Sequence, residues 1–133
     1  MQTDDKAQKI QWLGKLDIDL LQAEFGIIQT EELIVTGERL THIRMQHPDD
    51  MELFEKYGAD VVRTPDFIIK DIRHTGTIFI IKRFPDTNLN LVVRVALKSD
   101  SNGLKNSVMT FYRIRDSNLK KLIKKNKLIY HKE

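Results

Sequence analysis

At Asp66 the hydrophobic period of this chain changes. Upstream, apolar residues recur at helical spacing; downstream they alternate or cluster in short runs between turn residues. The alternation is cleanest from Leu89 to Ser99, where Leu91, Val93, Val95 and Leu97 point one way and Val92, Arg94, Ala96 and Lys98 the other. A chain that makes helices first and strands joined by short turns afterwards reads as α+β, with N-terminal helices packed on one face of a C-terminal antiparallel meander of about four strands and a short C-terminal helix.

In the helical half, Met1 to Lys9 reads as a flexible terminus and residues 10–133 as one domain. Ile10, Trp12, Leu13 and Leu16 suggest a short extended segment. Asp17 is a plausible N-cap for a brief helix that Gly26 ends, and Glu32 to Val35 reads as a strand. Thr36 caps a helix running to Pro48, T-G-E-R-L-T-H-I-R-M-Q-H-P, that carries half of the chain's four histidines. At about 100° per residue, Leu40, Ile43 and His47 share one face, and Glu38, Arg39, His42 and Gln46 fall on the other side. Pro48 opens a further helix, with Met51, Phe54 and Tyr57 at three-residue spacing, which Gly58 is expected to stop.

In the strand half, the expected strands are Phe67–Ile69, Thr77–Phe84, Leu89–Ser99 and Ser107–Ile114, with turns at Arg73–Gly76 and Pro85–Asn88 and a polar loop at Asp100–Asn106. Asp116 and Ser117 cap a last helix with Leu119, Leu122 and Ile123 on one face and four lysines elsewhere. Leu128–Tyr130 forms an extended tail.

Composition narrows the chemistry. The chain has 133 residues, 41% hydrophobic and 31% charged, as expected of a soluble globular domain. It has no cysteine, which excludes a disulfide framework, a thiolate zinc site and a cysteine nucleophile. No apolar run is long enough to span a bilayer, and the polar start does not read as a signal peptide, so a cytoplasmic protein is expected. The two central histidines are five residues apart, not the four of H-E-x-x-H metalloproteases, so neither a metal nor a cofactor is expected.

Histidine titrates nearest neutral pH, so His42 and His47 are the candidate proton carriers. Each also has a structural reading, His42 as an ordinary surface residue and His47 as a half-buried helix end. Arg94 and Lys98 sit four residues apart, roughly 13–14 Å along one strand, where an arginine can fork onto a phosphate. Thr110 and Tyr112 share one face of the next strand, Ser107 and Met109 the other. Which pair meets Arg94 depends on the register. Tyr130 could stack on a base or pin the terminus to the core, and the last helix is either a backbone track or a solvated face.

E-R-L-T-H-I-R-M-Q-H-P, P-D-F-I-I-K-D, L-V-V-R-V-A-L-K, K-N-S-V-M-T-F-Y and the tail K-L-I-Y-H-K-E together resemble the phage-associated nuclease-like domains grouped with barnase, EndoU, colicin ribonucleases and RelE, the PBECR family. The resemblance runs from about Leu13 to the end. It implies a barnase-like fold and a metal-independent, toxin-like endoribonuclease that leaves a 2′,3′-cyclic phosphate. It also implies His42, His47, Arg94 and Thr110 as catalytic residues and Glu38, Arg39 and Ser107 as substrate-binding ones. Lys98, as the cation on the strand of Arg94, and Tyr130, as a stacking residue, join the substrate-binding set from the residues themselves. Gln46 departs from the pattern, which has a basic residue there. RNA, with tRNA among the candidates, and a neutralising protein are the implied partners. The rival expectation is an inactive RNA-binding or regulatory module of a phage or mobile element on the same fold.

Overall fold

The computed structural model describes residues 9–133; of the expected flexible terminus, Met1–Gln8 lie outside the described residues. The chain forms β1 (Ile10–Lys15), α1 (Ile18–Phe25), β2 (Glu32–Thr36), α2 (Gly37–Gln46), a 3-10 turn (Pro48–Asp50), α3 (Met51–Arg63), β3 (Phe67–Lys70), β4 (Thr77–Arg83), β5 (Asn88–Arg94), β6 (Asn106–Ile114), α4 (Asp116–Lys125) and β7 (Lys127–His131). The expected α+β class holds, but the sheet is larger than a meander of about four strands. It has seven strands in the order β1-β2-β6-β5-β4-β3-β7. The early segments pair at one edge, with β2 parallel to β6, and the tail pairs antiparallel to β3 at the other.

Two boundaries differ from expectation for local reasons. Gly58 does not stop α3, which runs on to Arg63. A Cβ at Gly58 would lie 3.3 Å from the Phe54 ring and 3.7 Å from Leu13, so the glycine serves close packing against β1. β5 ends at Arg94, not Ser99. Beyond it the backbone turns back, with Gln29 N–H donating to Ala96 at 2.8 Å, Lys98 N–H to Ile27 at 3.1 Å and Leu97 N–H to the Asp100 carboxylate at 2.7 Å. Lys98 therefore stands on an exposed turn and does not form a strand row with Arg94.

One sheet face carries the main core. Ile68, Ile80, Leu91, Val93, Val108 and Phe111 meet Phe54, Val61 and Val62 of α3, Ile43 of α2 and Leu21 of α1. Glu24 of α1 accepts from both Lys70 and Lys127, tying that helix to β3 and β7. These bonds, the one from Lys127 foremost, hold the Glu24 carboxyl below its ordinary range.

The second face is covered in part, by α4 alone among the described helices that pack with Phe67, Ile69, Ile81 and Ile114. The helix is fastened at both ends. Asp116 binds Arg83 and Asn88 at one end of the sheet, and Asn126, just past the helix, accepts from Ile72 N–H at the other. Most of the rest of this face is half-exposed, with Asn88 and Asn90 buried in it.

Candidate active site

Strand register lays the second face out in rows. Thr77, Arg94 and Ser107 stand side by side across β4, β5 and β6; then Phe79, Val92 and Thr110; then Ile81, Asn90 and Tyr112. Successive rows are about 6.6 Å apart. The pairing of β5 with β6 slips between Val92 and Val93, so Met109 is the extra residue of a bulge. That slip returns Ser107 to the same face as Thr110 and Tyr112. Strict alternation separates them; the bulge brings both sets of hydroxyls to the face that Arg94 shares.

His47 reaches the same patch from a helix end. Thr36 Oγ1 accepts from Arg39 N–H at 3.1 Å and starts α2 directly after β2. β2 pairs with β6 only at Asn106 and Ser107, and α2 packs along the part of β6 that β2 leaves. His47 N–H donates to Ile43 at 2.7 Å and closes the helix. The buried Asp50 then accepts from Arg113, both from its backbone N–H at 3.2 Å and from its guanidinium. This clamp fixes the turn beside β6, and the His47 ring stacks on Tyr112 with centroids 5.1 Å apart and planes 27° from parallel.

Under that stack lie polar groups whose hydrogen-bonding capacity is unused. Asn90 is fully buried, and neither its amide oxygen nor its nitrogen has a partner among the described residues; Thr110 Oγ1 is also buried and unpartnered. Burial pushes the Tyr112 hydroxyl above its ordinary range. The nearby Asn90 amide eases that shift, although the two do not form a hydrogen bond of full geometry. An unpaired buried polar atom costs about 1–3 kcal/mol, so three in one patch call for a reason other than stability.

The other expected site residues are dispersed. His42 is exposed on α2, with Glu38 exposed and Arg39 half-buried on the same helix. Arg94 shares the face of Thr110 but is occupied. Its guanidinium donates to Asp100 at 2.9 Å and to the carbonyl of Val95, and it lies against Gly76. Gly76 has φ 77°, and a Cβ there would fall on the guanidinium. Gly76→Ala is therefore expected to lower stability by about 1–3 kcal/mol, read as a fall in melting temperature. Tyr130 pairs with Ile68 and so belongs to the opposite face. There it lines a cleft of about 370 Å³ with Leu20, Val62 and Ile80, which contains no histidine. Asn90 and Asp50 were not among the residues expected from sequence. Tyr112 was visible as the neighbour of Thr110, whereas Asn90 sits within an apolar run and carries no local signal.

The arrangement defines a class: an α+β domain with one sheet face packed by helices and a hydroxyl- and amide-bearing patch, edged by a fixed histidine, on the other. The chain belongs to the family described as phage-Barnase-EndoU-ColicinE5/D-RelE like nuclease2 (PBECR2), whose model matches residues 9–131. No curated protein and no solved structure matches it. Membership places the chain among nuclease-type domains. No helix among the described residues is long and apolar enough to cross a membrane.

Proposed function

We propose that this chain is a metal-independent endoribonuclease acting at the patch around His47. The observation that carries the reading is the coincidence of three unpartnered buried polar atoms with a histidine held in place by stacking. The chemistry needs a base, an acid and polar groups on the phosphate. His47 takes the proton of the 2′-hydroxyl as that oxygen attacks phosphorus. The bond from phosphorus to the 5′-oxygen breaks, and the leaving oxygen takes a proton from Tyr112. The products are a 2′,3′-cyclic phosphate and a 5′-hydroxyl. Thr110 and Asn90, buried in the substrate-free protein, donate to the phosphate oxygens on binding, with Ser107 further along the strand.

The test is incubation of the purified protein with total RNA in EDTA, followed by analysis of fragment ends. Cyclic phosphate and 5′-hydroxyl ends are expected; intact RNA, or cleavage only with added metal, overturns the reading. One observation favours the rival, a module that binds RNA without cutting it. Arg94 is committed to Asp100, which leaves the strand cation unavailable to a phosphate. That reading predicts salt-sensitive binding with RNA intact after long incubation.

A further inference from the structure

α4 carries Leu119, Leu122 and Ile123 toward the sheet and Lys120, Lys121, Lys124 and Lys125 away from it. At about 100° per residue the four lysines fill the outward side. None of the four forms an ion pair among the described residues. Elsewhere paired and unpaired cations are mixed: Lys15 meets Glu31, Arg63 meets Asp60, Lys105 meets Glu32 and Lys127, two residues past the helix, meets Glu24, while Lys56, Arg73, Lys98 and Arg115 have no ion pair among the described residues. α4 differs in gathering four unpaired lysines on one face. The one acid of α4, Asp116, is engaged by Arg83 and Asn88.

Solubility alone does not call for this pattern. Lys120 with Lys124, and Lys121 with Lys125, are like charges four residues apart, and each such pair destabilises the helix. Lys124 and Lys125 gain from the helix C-terminus, but Lys120 and Lys121 lie too far from it. The position of the helix supplies the missing reason. Its N-terminal end is fastened beside Asn88 and its C-terminal end to Ile72, at opposite ends of the sheet. It therefore lies over part of β3 and β4, against Phe67, Ile69 and Ile81, on the face that holds Thr110 and Tyr112. Its clamped ends give the lysine row a fixed direction along the half-exposed strip of Val92, Thr110 and Ser107.

We propose that the outward face of α4 is the track for the phosphodiester backbone of a single-stranded RNA whose scissile segment lies in the His47 patch. This deepens the nuclease reading and rests on it for the identity of the polyanion. Duplex RNA, an acidic protein segment and an anionic surface would meet the same charge, but only a flexible strand both follows the helix and lays a nucleotide into the adjoining strip.

The experiment measures binding of a fluorescent 2′-O-methyl single strand, which lacks the attacking hydroxyl, by anisotropy over a series of KCl concentrations. The variants are Lys120→Gln, Lys121→Gln, Lys124→Gln and Lys125→Gln combined, the matching four-fold Lys→Arg protein, and His47→Ala. Each phosphate contact contributes about 0.7 to the slope of log affinity against log salt for a single strand, so the Gln protein should lose about 2–3 in slope. The Arg protein should keep the slope, and the Gln protein should stay folded with a melting temperature within a few degrees of the wild type, because the repulsion removed and the helix-end attraction lost offset each other. Unchanged affinity and slope in the Gln protein overturn the proposal, as does an equal loss of affinity for polyglutamate. His47→Ala should keep the slope. Wild-type protein that cleaves no RNA while the Gln protein still loses its slope removes the nuclease reading alone.

Discussion

His47→Ala is expected to slow RNA cleavage by about 10²–10⁴-fold, the range for loss of a positioned proton carrier. The ring is held by the close of α2, by the turn that Asp50 fastens to Arg113 and by the face of Tyr112. A base fixed in this way loses little entropy when substrate arrives, which is why its removal should cost more than removal of the exposed His42. The ring is half-buried, so the folded state should survive, and circular dichroism should show unchanged helix and sheet. Steady-state cleavage of a defined oligonucleotide measures the effect. A loss smaller than tenfold removes His47 from the mechanism.

Asn106→Ala is expected to be the most damaging of these substitutions for the fold, by about 3–5 kcal/mol. Asn106 is fully buried where the last turn of the β5 segment, the 27–31 loop and β2 converge. Its amide oxygen accepts from Ala96 N–H at 2.7 Å, and its amide nitrogen donates to Thr30 at 2.7 Å and to Glu32 at 2.9 Å. Alanine removes three hydrogen bonds and strands a buried N–H, each such loss costing about 1–3 kcal/mol. Since whole domains are stable by only about 5–15 kcal/mol, the variant should show a large drop in the urea midpoint. The parallel contact of β2 with β6 is short, only Leu33 with Asn106 and Ile34 with Ser107, so this side chain does much of the joining. A change under about 1 kcal/mol contradicts that view.

The α+β class was legible because it depends on local period. The Asp17 and Thr36 caps are short-range signals and appear where expected, and the alternation of β5 holds as a strand as far as Arg94. The seven-stranded sheet was not legible, because β2 meets β6 across some seventy residues through a parallel contact that leaves no turn signature. The bulge at Met109 was hidden for the same reason: a slip in register belongs to two strands, and neither sequence announces it. It decided the site, since it brought Ser107 to the face of Thr110.

For the candidate site, residue type pointed to the histidines and Thr110 but not to their surroundings. The helical wheel separated an outward His42 from an inward His47, and the exposures agree. Arg94 looked free in sequence, but its partner Asp100 is brought back only by the turn after β5. Tyr130 was drawn to the site by its place in the tail, yet its pairing with Ile68 turns it toward the other core. Asn90 could be recognised only once its two amide atoms were seen to be buried without partners.

The central claim is that RNA is handled on the face of the sheet that bears Tyr112, beside the fixed histidine. Amide and methyl NMR spectra recorded while a 2′-O-methyl dinucleotide is added test it most directly. The account predicts that the largest shifts fall on the Asn90 side-chain amide, the Thr110 methyl, Tyr112 and His47, with Leu20, Ile68 and Tyr130 unmoved. Shifts confined to the cleft of Leu20, Ile68 and Tyr130, with Asn90 and Thr110 silent, would contradict it.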